Sequence, residues 1–171
     1  MTKKLLVFIA LIIAMSLTAC GTGNTGTDPS DNDNQSAVLD GSLDSILEEI
    51  YETAELSDSF REYTEARLQT TEITEDNIIY HLGTDNIEYE DAIASESMIS
   101  PSAYALCLVR VKEGSDIEKI KADIKENIDP MKWVCVGVDS KNIFVDNIGD
   151  VLILIMSDDA GEALHEAFLS L

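Results

Sequence analysis

Val151-Leu152-Ile153-Leu154-Ile155-Met156 is an unbroken run of apolar residues. A strand with one dry and one wet face alternates, so a run that is apolar on both faces reads as the central strand of a sheet. Ahead of it, Trp133 to Val138 and Ile143 to Val145 read as two more strands. Behind it, Asp159 and Glu162 open a closing helix with Ala160, Leu164, Ala167, Phe168 and Leu171 turned inward. Ser115 and Glu118 have capping-box spacing, and Ile117, Ile120, Ile124 and Ile128 form a narrow apolar stripe ending before Pro130, the pattern of a helix lying on a sheet. Tyr89 to Ile99 and Tyr104 to Val111 are extended segments with Pro101 between them, where a turn belongs, so a hairpin-like pairing is expected.

The first half of the same region is helical. Leu43, Ile46, Leu47, Ile50, Tyr51 and Ala54 share one helical face, with Ser42 available as N-cap. A weaker helical stretch covers Phe60 to Leu68. A third begins at Thr74, runs through Ile78, Ile79 and Leu82, and meets Gly83 as C-cap. The order predicts an α+β fold: a largely antiparallel sheet with helices packed on one face, preceded by a helical N-terminal segment. The three expected parts are a leader at 1–19, an acidic tether at 20–38 and one domain at 39–171.

The leader and tether rest on different chemistry. Lys3 and Lys4 precede an apolar stretch, and small residues lead to Cys20, which is signal-peptide order. Leu5 to Leu17 is 13 residues. At ~1.5 Å per residue it reaches only about 20 Å, short of the roughly 30 Å of bilayer hydrocarbon. Leu17-Thr18-Ala19-Cys20 then resembles the bacterial lipoprotein signal, in which the thiol receives diacylglycerol and cleavage leaves the cysteine as the first residue. Two or more acyl chains give stable anchoring where one is marginal, at about 0.8 kcal/mol per buried methylene. Gly21 to Ser36 has no large apolar residue and cannot bury enough surface to fold. A flexible stretch of that composition has a reach on the order of 20 to 25 Å. Asp28, Asp31 and Asp33 lack the glycine and the final glutamate of a calcium loop, so a solvated acidic linker is expected there and no metal.

Charge excludes one class of partner. The chain carries a formal charge of -22. Loss of residues 1–19 removes Lys3 and Lys4 and no acid, deepening it by two to -24. Such a surface repels nucleic acid and anionic headgroups, so the expected associations are the membrane through the lipid and a protein of the cell envelope. Cys107 and Cys135 sit among apolar residues and are expected to be buried free thiols, with a disulfide between them left open.

The succession Met98-Ile99, Tyr104-Ala105-Leu106-Cys107-Leu108-Val109-Arg110-Val111, Lys132-Trp133 and Gly149-Asp150-Val151-Leu152-Ile153-Leu154-Ile155 resembles a family of small Gram-positive bacterial lipoproteins carrying a domain of unknown function. The resemblance covers most of Thr74 to Leu171 and implies a cell-surface lipoprotein, without implying any chemistry. The helical region from Leu43 to Leu68 matches less well.

Signatures of acyl transfer, zinc hydrolysis and phosphate cradling are missing from the sequence, and no cofactor is expected. His81 and His165 fall on different expected helices and read as helix-flank residues. Arg110 stands between Val109 and Val111 in an apolar strand and must reach solvent, snorkel or pair with a carboxylate. It reads either as an outward-facing residue on a wet face or as a ligand-binding group with Glu96 as cross-strand companion. Trp133 reads as a core or sheet-face residue, with an exposed contact site as the alternative. The expected function is a non-enzymatic, lipid-anchored binding or scaffolding domain. The competitors are an envelope enzyme using paired carboxylates and an accessory subunit of a membrane complex.

Overall fold

In the computed structural model, residues 39–99 and 101–171 are described; the leader, Cys20 and the tether lie outside the described residues. Ser42 caps α1 (Leu43–Thr53), its hydroxyl accepting from the Ser45 amide, and Leu43, Ile46, Leu47 and Ile50 are buried as the spacing predicts. Ser57 caps α2 (Asp58–Arg67), which buries none of its residues. The helix expected to run on through Leu68 ends before it, and the chain turns there into strand β1 (Leu68–Glu72). Gln69, Thr70 and Thr71 are exposed, and the strand adds a polar edge to the sheet, so no apolar alternation announces it.

A short helix α3 (Ile78–Leu82) follows, and it starts later than Thr74 because Asn77 is occupied in closing the preceding turn. Its Oδ1 accepts from the Thr74 amide at 2.7 Å and its Nδ2 donates to the Glu72 carbonyl at 3.1 Å. Then come β2 (Tyr89–Ser97), β3 (Ala105–Val111), α4 (Ile117–Asn127), β4 (Ile143–Ile148), β5 (Val151–Met156) and α5 (Gly161–Leu169). Asp116, one residue after the expected Ser115, caps α4 by accepting from the Lys119 amide. Among the described residues no helix is long and apolar enough to cross a membrane.

The strands form one antiparallel sheet in the order β1-β2-β3-β5-β4, which places the Val151–Met156 run inside, as expected. The α+β class and the antiparallel sheet are thus those expected, but the layering differs. Cys107, Val109, Leu152 and Leu154 pack against Ile78, Leu82, Ile120 and Ile124 of α3 and α4. Leu106, Leu108, Ile153 and Ile155 pack on the other side against Leu43, Ile50, Leu164 and Phe168 of α1 and α5. Helices cover both faces because β3 and β5 are apolar on both, and one layer of helices would leave half of that surface wet.

Residues 133–138 are not a strand. After Ile128 closes α4, the loop is pinned by Val138 N–H donating to the Pro130 carbonyl and Met131 N–H to the Asp129 carboxylate, and its last amide, Asp139 N–H, reaches out to the Asp158 carboxylate. Cys135 sits at φ 64 and is exposed, which corrects its expected burial. Cys107 is buried and both thiols are free, so no disulfide joins them.

Gly83 closes α3 in the left-handed region at φ 76, where a Cβ would stand 2.5 Å from the Asn127 carbonyl carbon and the Ile128 nitrogen. Gly83→Ala should therefore cost at least about 2 kcal/mol, from backbone strain added to the clash. Urea unfolding measures it; a loss below about 0.5 kcal/mol would mean that α3 does not press on the end of α4.

Candidate functional site

Three segments meet at one ammonium group. Lys132 sits in the 129–139 loop with only 4% of its side chain exposed, and its Nζ donates to Glu96 Oε1 at 2.7 Å. The same Nζ lies 4.6 Å from the centroid of the Tyr80 ring and 5.1 Å from that of Trp133. A carboxylate and two aromatic faces thus replace the water that this cation loses. His81, also buried, brings Nδ1 to 3.6 Å from Glu96 Oε2, and that nitrogen has no hydrogen-bond partner.

Burial alone would raise the Glu96 carboxyl, but the His81 ring and the Lys132 ammonium outweigh it and hold the group below its ordinary value of 4.5. Beneath the cluster, Cys107 Sγ donates weakly to the His81 carbonyl at 3.9 Å, and burial pushes the thiol up to about 12. Such a thiol stays protonated and is no nucleophile. The arrangement fastens α3, the end of β2 and the 129–139 loop together.

Arg110 belongs to a different place. It shares the α1 and α5 face with Leu106 and Leu108, whereas Glu96 shares the opposite face with Ala92 and Ala94, so the two are not companions. Arg110 Nη1 donates to both oxygens of Asp150 at 3.1 and 3.0 Å, and Nη2 donates to the carbonyls of Leu39 and Gly41 at 3.1 and 3.0 Å. The guanidinium fork therefore ties the start of the domain to the β4–β5 turn. Of the three residues singled out in the sequence, Glu96 and Trp133 come together and Arg110 stands apart. Lys132 was missed, although it is a lone cation between Met131 and Trp133, the kind of position where a charge has to find a partner.

Two clefts flank the end of the sheet where β3 begins. One, of about 460 Å³, is lined by Phe60, Tyr63, Tyr104, Ser102 and Asp159. Its rings pack on one another with centroids 5.5 to 6.2 Å apart. The Tyr104 hydroxyl is 2.7 Å from that of Tyr51, which donates on to Ser95 at 2.9 Å, and burial raises both phenols so that they stay neutral. The other, of about 300 Å³, gathers Glu55, Asp158, Asp159, Glu162 and Glu166, all exposed. Asp158 is occupied there in accepting from the Asp139 amide and the Asn142 side chain. Paired-carboxylate catalysis calls for one acid made reluctant to ionise by burial, and these carboxylates face water.

His165 is stacked on Phe144 and lies 3.2 Å from Asp146, which also receives Lys121, so this second histidine joins α5 to β4. Among the described residues no group of three or more His, Cys, Asp or Glu is placed to hold a metal ion.

Removing Glu96 leaves a buried cation uncompensated, so Glu96→Ala should lower the unfolding free energy by about 3 to 5 kcal/mol at neutral pH. Because the folded carboxyl lies below its unfolded value, its stabilisation is present above about pH 4.5 and fades as pH falls through the folded value, and the mutant's deficit should shrink on that side. Glu96→Leu combined with Lys132→Met should regain most of the loss. A single-mutant cost under about 1 kcal/mol would mean that the pair is solvated.

Compared with family models, curated proteins and solved structures, the chain matches none of them significantly.

Proposed function

We propose that the chain is an extracytoplasmic lipoprotein, held at the membrane by acyl chains on Cys20, whose acidic domain is a non-enzymatic binding or scaffolding module of the cell envelope. The observation that carries this reading is Leu17-Thr18-Ala19-Cys20 closing a charged-then-apolar leader too short to span a bilayer. The acidic, Gly- and Asn-rich stretch after Cys20 supports it as a spacer. The likeness to the small Gram-positive lipoproteins agrees with it.

The Arg110 fork adds a mechanical argument. A tether transmits any pull to the residues where the domain begins, and Leu39 and Gly41 are bonded there through Arg110 to β3 and Asp150 rather than left to fray. An anchored domain needs its attachment point tied to its core.

Cys20→Ser removes the acceptor sulfur. The variant should accumulate as untrimmed precursor or appear in the medium, with the membrane-pelleting mature form lost. Membrane-bound variant with residues 1–19 removed and the introduced serine at its N-terminus would contradict the lipid attachment.

A further inference from the structure

The cleft of about 460 Å³ beside α2 and the start of β3 is lined by polar groups that the fold leaves unfinished. Ser157 is only 3% exposed, yet it lines this cleft, and its oxygen accepts from the Ala160 amide at 3.1 Å. Its own proton meets no acceptor among the described residues. A buried hydroxyl proton in that position needs an oxygen from outside the protein. Tyr63 and Ser102 share one hydrogen bond at 2.7 Å, and Ser57 and Ser59 share another at 3.1 Å. Each such pair uses one of its two protons, so each has a second to give. Asp159 also lines the cleft, is exposed, and as a carboxylate can only accept.

This mixture of spare donors and one acceptor selects the chemistry of the ligand. An ammonium or guanidinium ligand has donors alone and would leave the Ser157 proton unmet, however well Asp159 suits it. A phosphate or carboxylate ligand has acceptors alone and would face Asp159 with no Lys or Arg lining the cleft. A hydroxyl group both gives and accepts. The aromatic side of the cleft adds a second requirement. Phe60 and Tyr63 are half-buried, their ring centroids 5.5 Å apart and their planes inclined at 48°, and each meets the buried Tyr104 edge to face. The ring surface left to the cleft is apolar and suits the C–H face of a ring that carries its hydroxyls on the rim. The volume lies in the range that takes a small molecule.

We propose that this cleft binds a neutral saccharide, with Ser157 donating to a sugar oxygen, Asp159 accepting from a sugar hydroxyl, and Phe60 and Tyr63 packed on a sugar face. The inference deepens the binding-module reading, and it rests on the lipid-anchored reading only for the place where the sugar is met. Tyr104, just ahead of β3, and Arg110, which holds Leu39, are six residues apart. At ~3.3 Å per residue that is roughly 20 Å of extended chain, so the cleft lies away from the point where the tether joins.

The test titrates the full chain, extracted from cells that process it in a detergent without a sugar headgroup, with maltose, cellobiose, lactose and diacetylchitobiose in turn. Saturation transfer from protein to sugar C–H protons is the readout. At least one of the four should bind with a Kd at or below about 1 mM, and choline and glucose 6-phosphate, the cationic and anionic probes, should bind more weakly. Asp159→Ala, at an exposed site, and Phe60→Ala should each weaken the sugar by about tenfold while the circular dichroism of the fold persists. Ser157→Ala should do the same, and because it also removes the bond to Ala160, the Asp159 variant tests the cleft independently of it. Binding by none of the four sugars, tighter binding of choline or glucose 6-phosphate, or a sugar affinity that every folded variant leaves unchanged would overturn the proposal. Co-sedimentation with insoluble cell-wall glycan, released by the free disaccharide, would assign the sugar to the wall, and binding of free sugar without co-sedimentation would assign it to solution. Membrane pelleting of the same preparations reads the anchor separately. A chain that binds sugar without pelleting keeps this site and loses its anchor, and a chain that pellets without binding sugar keeps its anchor and loses this site.

Discussion

Two strands with no wet face govern this molecule. β3 and β5 lie side by side in the middle of the sheet, and nearly every side chain on both of their faces is buried. Each leucine or isoleucine so buried contributes roughly 1.5 to 3 kcal/mol relative to exposure, but only if something covers it. A domain of modest length must then divide its helices between two layers: α3 and α4 on one face, α1 and α5 on the other. The closing helix and the first helix pack beside one another as a consequence, which brings the N-terminal end of the domain against the sheet rather than leaving it as an appendage.

Polar groups survive in such a slab only at its margins. Arg110, the one charge within β3, lies near the strand's end, where Asp150 receives its Nη1 and two carbonyls receive its Nη2. Glu96 lies near the end of β2 on the other face, where Lys132 folds over it from a loop. The sheet therefore has two chemically distinct ends. One is bonded to the segment that leads towards Cys20, and the other is a loop pinned by a buried ion pair and studded with exposed apolar side chains. A rigid sheet between them fixes their separation.

How much of this could be read from the residues varied with the kind of pattern. α1, α4 and α5 carried their 3.6-residue stripes openly, and the β2–β3 pairing and the central place of β5 followed from apolar runs and Pro101. β1 could not be read, because an edge strand of Gln and Thr has neither stripe nor alternation. Trp133 to Val138 misled for the opposite reason: it has the composition of a strand, yet it lies in a loop closed by the bond from Val138 N–H to the Pro130 carbonyl, a contact that sequence does not record. Coverage of both faces was implied by β5, and the same logic applied to β3 would have forbidden a single helical layer. At the candidate site, Glu96 was named only as a cross-strand companion for Arg110, and Trp133 as a core or contact residue. Their meeting point, Lys132, was not, because its partner lies 36 residues away in the chain.

Trp133 is the chain's single tryptophan, which makes its emission a direct reporter on the pole that carries it. On the proposed lipid anchoring, the measurement that bears most closely on a sheet holding Trp133 and Leu39 apart is fluorescence quenching of the membrane-extracted protein in vesicles containing nitroxide-labelled phospholipid. Emission from Trp133 should be the same with labelled and unlabelled lipid, since the residue sits at the end of the slab away from Leu39. Strong quenching by the labelled bilayer would place that pole in the lipid and contradict the arrangement.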